Sequence, residues 1–154
     1  MAAAGSSLLY SREFYHTAKR RLAPGGILQQ WLPHGEPILW SAVSMALEAS
    51  FEHVRILVSI EGWGCHFLAS DSPIPDRSGL ELAARLPEAA RADLIEWGPA
   101  SSVEEQLQNA VAREHTPGNL TALDPGAPVL SDNRPVNEYF FLRRRFGGSK
   151  TIGE

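Results

Sequence analysis

The strongest constraint on the fold is the stretch Pro24-Gly25-Gly26-Ile27-Leu28-Gln29-Gln30-Trp31-Leu32-Pro33. Three consecutive helix breakers end whatever precedes them. The short apolar run behind them stops at Pro33-His34-Gly35 and reads as a buried strand over residues 27–32. Side chains alternate along a strand, so Gln29 and Trp31 share one face and Leu28, Gln30 and Leu32 the other.

Helical patterns flank this strand. Ser11 is a good N-cap, Glu13 lies in the first turn, and Lys19, Arg20 and Arg21 crowd the far end, as the helix dipole favours. Phe14, Ala18 and Leu22 fall at i, i+4 and i+8, with Tyr15 beside them. A second helix opens with Pro37 at its first position. It carries Leu39, Val43, Ala46, Leu47 and Ser50 as its buried stripe, closed by Phe51, with Trp40 on the flank. Val54, Ile56, Val58 and Ile60 then alternate as a strand. Glu61-Gly62-Trp63-Gly64 reverses the chain, and residues 65–69 return, so the pair reads as a hairpin.

The remainder changes character after Asp71-Ser72-Pro73-Ile74-Pro75. Residues 78–86 and 87–95 are short Ala-rich helices. Ser102-Val103-Glu104-Glu105 is a capping box opening a helix to about Arg113. Residues 116–128 read as a Pro/Gly-rich loop, and Ser131-Asp132-Asn133-Arg134-Pro135 as a turn, Asp-capped, with Arg134 in a surface ion pair. Residues 138–142 are apolar and aromatic, a short strand or docking segment, and residues 147–154 a flexible tail.

Composition excludes several functions. A formal net charge of -4 argues against a nucleic-acid or anionic-membrane surface, and the short cluster Arg143-Arg144-Arg145 does not overturn this. No apolar run approaches the ~20 residues of a membrane span, and the start lacks the marks of a secretory signal. Cys65 is the single cysteine, so no intrachain disulfide forms and a reducing cytoplasm is expected. The five histidines lack metal-ligand spacing. Gly62-Trp63-Gly64 lacks the third glycine and following helix of a phosphate loop, and no Gly-x-Ser-x-Gly elbow is present.

Gln29, Gln30 and Trp31 are the candidates for binding. Two amides on a buried strand must be hydrogen-bonded, either to neighbouring backbone or to a ligand at the strand end, where open α/β sheets bind. Trp31 packs under the second helix or joins that site. Trp63 is an exposed aromatic lid or folds back on the core. Glu36 and Glu61 flank the same sheet edge, as solvated carboxylates or as partners for a cation.

Leu9-Tyr10-Ser11-Arg12-Glu13-Phe14-Tyr15 followed by Leu22-Ala23-Pro24-Gly25-Gly26-Ile27-Leu28 resembles the spermidine synthase (polyamine aminopropyltransferase) family, whose fold is that of the class I methyltransferases. Ser131-Asp132-Asn133-Arg134-Pro135 with Glu138-Tyr139 is similar to a C-terminal signature of bacterial spermidine synthase-like proteins. The resemblance implies that Gln30 or Gln29 matches the family glutamine near the acceptor amine, and that Trp63 stands where the family sets an aromatic over the acceptor. It implies decarboxylated S-adenosylmethionine as the donor in the complete fold. The Gly-rich loop, the acidic residue after the second strand and the catalytic aspartate would precede Leu8, so no cofactor and no catalytic residue are expected of this chain alone.

The combined expectation is a single α/β domain over residues 1–146. Residues 8–70 would form the C-terminal half of a methyltransferase-like (Rossmann-like) sheet, and residues 71–146 a helical and loop extension. Three strands (27–32, 54–60 and 65–69) are expected, the last antiparallel and between the other two. The bare edge of strand 27–32 would be an association site, for a homodimer or a complementary half. The acceptor side would hold Gln29, Gln30, Trp31, Glu61 and Trp63 against a polyamine. The alternative is a non-catalytic domain that binds a small molecule or itself.

Overall fold

The computed structural model describes residues 6–33 and 35–133. Four strands form one sheet in the order β1-β3-β2-β4, where β1 is Leu28–Pro33, β2 His53–Val58, β3 Gly64–Ser70 and β4 Glu114–His115. The helices are α1 Arg12–Lys19, α2 Pro37–Glu48, α3 Gly79–Ala83, α4 Glu88–Trp97, α5 Val103–Ala112 and α6 Pro117–Thr121. Each paired neighbour is antiparallel, so β1 and β2 run the same way on either side of β3. The returning strand lies between the other two, as expected.

The strand number differs from the expected three. β4 adds a fourth strand, with Ile56 opposite His115 and Leu57 opposite Glu114. Two residues are too few to show a period of two in sequence. A bidentate ion pair fastens them: Arg55 Nε donates to Glu114 Oε1 at 2.8 Å, and a second guanidinium nitrogen reaches Oε2. Arg55 also bonds the Pro75 carbonyl and Asp76, pinning the segment after β3 to the sheet.

The strand limits also shift. β2 ends at Val58 rather than residue 60 because Ser59 already turns. The Ser59 carbonyl accepts from Gly62 N and its hydroxyl oxygen from Trp63 N, both at 2.9 Å. Gly64 leaves the turn at φ 130, where a side chain would collide with the Leu32 carbonyl of β1. That close approach requires glycine.

One face of the sheet builds the core. Leu32, Ile56, Cys65, Phe67 and Ala69 are buried there with Val43, Leu47 and Leu130. Ser11 caps α1 as expected, accepting from Phe14 N at 3.1 Å. The buried centre of α1 is Tyr15 rather than the Phe14 row, and Phe14 meets it edge-on. The reason is polar: Tyr15 reaches across to Gln30, and a buried phenol needs a partner. α2 is buried on more sides than one stripe, including Trp40, Ser41, Ala42 and Ser44, because α6 covers it.

The expected loop over 116–128 is corrected by α6. Pro117 sits at its first position, where no N–H is needed, and Thr116 and Asn119 form a capping box. Ser41 Oγ donates to the Leu120 carbonyl at 2.7 Å and accepts from Asp124 N at 3.0 Å, which locks α6 onto α2.

The three Ala-rich or capped helices form near the expected places, but α3 ends at Ala83 rather than residue 86 and α4 runs on to Trp97. The Ser102 box closes one residue early: Ser102 Oγ accepts from Glu105 N, but the Glu105 carboxylate bonds Ser101. Arg91 ties α4 to the Ala83 carbonyl and to Glu104 of α5. The chain returns to the start of α1, where Asp132 N donates to Glu13 Oε2 at 3.1 Å. Arg134, the expected segment 138–142, Arg143-Arg144-Arg145 and the tail 147–154 lie outside the described residues. Among the described residues, no helix is long and apolar enough to cross a membrane.

Candidate functional site

The strand alternation separates the two glutamines. Gln30 points to the core face, where Tyr15 Oη donates to its Oε1 at 2.6 Å and its Nε2 donates to the Leu9 carbonyl at 2.7 Å. Both ends of this amide serve the chain itself. They bind α1 and the turn before it to β1. Tyr10 Oη adds a bond to the Trp31 carbonyl at 3.3 Å. Burial raises the pKa of both phenols, and for Tyr15 the neighbouring Tyr10 adds to it.

Gln29 and Trp31 lie on the opposite face. Gln29 Nε2 is 2.9 Å from His66 Nδ1, and Trp31 is directly across from His66. Trp31 is 46% exposed, and Ile27, just before β1, 44%. Trp31 therefore does not pack under α2. Glu61 and Trp63 lie in the β2–β3 turn, and Trp63 is 74% exposed. The structure thus brings Gln29 and Trp31 together, keeps Glu61 and Trp63 at the turn, and gives Gln30 to the core.

Because β1 and β2 are parallel, their C-terminal ends meet at one end of the sheet. A cleft of about 550 Å³ opens there on the core side. Its walls are Trp40 at the start of α2, Val58 and Cys65 at the strand ends, His115 of β4, and Leu120 and Leu123. The volume falls in the range of small-molecule sites. Sequence reasoning missed this cleft because its walls come from four separate segments, one of them read as loop. The apolar pair Leu120 and Leu123, at helical spacing, was the one available signal.

The cleft can hold a ligand but offers little chemistry. Asn119 Oδ1 is committed to the α6 cap. No carboxylate is among its described lining residues, and His115 is the lining side chain of a type that can take a proton. Cys65 is 2% exposed and burial pushes its thiol up to about 11. Two pH units above the ordinary value leaves ~100-fold less thiolate at pH 8. Cys65 in the native protein is therefore expected to resist iodoacetamide at pH 8, and to react at the rate of a free thiol in urea. Equal rates in both conditions, followed by intact mass, would show that the thiol is open.

Among the described residues, no three His, Cys, Asp or Glu side chains are grouped to hold a metal. No known protein-family model and no curated protein sequence matches the chain.

Proposed function

We propose that this chain supplies the acceptor-side part of a methyltransferase-like sheet of the spermidine synthase type, and that it works by association along β1 rather than by catalysing aminopropyl transfer alone. The observation that carries this reading is the strand pattern: an antiparallel β3 inserted between parallel β1 and β2, with β1 at the margin of the sheet. Among the described residues, no strand pairs with the outer side of β1. That edge carries no charge, and Ile27 and Trp31 stand exposed beside it. An uncharged edge with exposed apolar side chains favours pairing with another strand.

Aminopropyl transfer needs a neutral amine, a group to take its proton and a fixed site for a sulfonium. Among the described lining residues of the cleft, none is an anion that would fix a sulfonium. The complementary strand, from a second copy or a separate half, would complete the sheet. Sedimentation at micromolar concentration should therefore show a dimer, Trp31→Lys should shift it to monomer, and calorimetry should show no uptake of methylthioadenosine. A wild-type monomer, or micromolar methylthioadenosine binding, would defeat the proposal.

The cleft itself favours a second reading, a non-catalytic binder of small molecules. Its apolar walls suit an uncharged aromatic ligand better than a polyamine. A monomer that binds indole and loses it on Leu123→Asp would support this reading over the first.

A further inference from the structure

The margin of β1 is not equally open along its length. The Leu32 carbonyl faces β3, since a side chain on Gly64 would collide with it. Successive peptide groups of a strand point to opposite sides, so the Trp31 carbonyl faces the outer margin, as do the peptide groups of Gln29 and Pro33. These are the groups that an added strand would pair with. Two of the three residues are blunted. Pro33 has no N–H to give. The Trp31 carbonyl already accepts from Tyr10 Oη at 3.3 Å. A paired strand runs about 4.8 Å away, so the phenol stands in the space that such a strand would fill.

Tyr10 ends the helical turn Ser6–Tyr10, and that turn is held without its side chain. The Leu9 carbonyl accepts from Gln30 Nε2 at 2.7 Å, and the Leu8 carbonyl from Ser11 Oγ at 3.0 Å. The phenol can therefore leave the Trp31 carbonyl by rotation about its own side-chain bonds while the turn stays docked. A single neutral hydrogen bond is weak enough to be exchanged for a strand bond and strong enough to bias the exchange.

We propose that Tyr10 is an autoinhibitory latch on the β1 margin, where its phenol and the β1 strand of a second copy compete for the Trp31 carbonyl. This inference rests on the association along β1 proposed above. A two-fold pair uses the same margin on both copies, so two latches open for each dimer formed. The latch therefore acts twice on one equilibrium, keeping dilute chains apart and yielding as concentration rises.

The test is sedimentation of the parent and of Tyr10→Phe over a concentration series, with circular dichroism melts to show that both are folded. Removing two bonds, each worth about threefold, should lower the dimer Kd about tenfold in Tyr10→Phe. Adding Trp31→Lys to that variant should return it to monomer. In a parent dimer, the NMR resonances of the Tyr10 ring should move from their monomer positions as dimer forms. A monomeric parent with a dimeric Tyr10→Phe would defeat dimerisation of the parent and still support the latch. Four results would overturn the latch: both chains monomeric throughout, equal Kd values, a double variant that stays dimeric, or a parent dimer whose Tyr10 resonances match those of the monomer.

Discussion

Tyr15→Ala is expected to destabilise the protein by about 3–5 kcal/mol, the range for deleting a buried aromatic. Tyr15 is 0% exposed and packs among the core side chains, so the cavity left behind would not be filled by solvent. Tyr15→Phe separates the two roles of the residue. It keeps the ring but leaves Gln30 Oε1 without its 2.6 Å donor, at an expected loss of about 1–3 kcal/mol. Urea unfolding followed by circular dichroism reads both variants. A Phe variant as stable as the parent would show that the Tyr15–Gln30 bond does not hold α1 to β1.

The same phenol sets a pH dependence. Burial raises its folded-state pKa far above the ordinary ~10, so the folded state keeps the proton that the unfolded chain releases. Its contribution is full below ~10 and is lost as pH rises from there towards the folded value. Stability should therefore fall above pH ~10 in the parent and less steeply in Tyr15→Phe.

Gly64→Ala is expected to cost about 3 kcal/mol or more, and Gly62→Ala only about 1–2 kcal/mol. Both glycines have positive φ, 130 and 76 respectively. A methyl group at Gly62 meets nothing within 4 Å, so only backbone strain is added. At Gly64 it collides with the Leu32 carbonyl and comes within 2.9 Å of Pro33 Cα, which pushes β1 away from β3. Equal midpoints for the two variants in urea would show that the β1–β3 approach is unimportant. Retained stability in both would sink the strand pairing at this end of the sheet.

The order of the main elements was legible because local signals were strong. Ser11 and Pro37 mark helix starts and period-two alternation marks β2, while α1 ends at Lys19 with Arg20 as its C-cap, short of the expected stop at Pro24-Gly25-Gly26. Each of these acts within a few residues, through capping, fixed φ or side-chain alternation. Alternation also correctly separated Gln29 and Trp31 from Gln30, which is why those residues do not share one site.

What only the tertiary structure decided depends on segments far apart in the chain. β4 is fastened by Arg55 pairing with Glu114, 59 positions later, and α6 by Ser41 bonding a carbonyl 79 positions away. The fate of Gln30 was settled by Tyr15 and Leu9, which approach it only once α1 folds back on β1. The sheet-end cleft is likewise built from side chains that no local pattern connects. Local sequence determines where helices and strands begin because caps, turns and alternation are short-range. The packing that pairs a distant donor with a buried acceptor is long-range, and it decided which polar groups hold the fold together and which remain to bind.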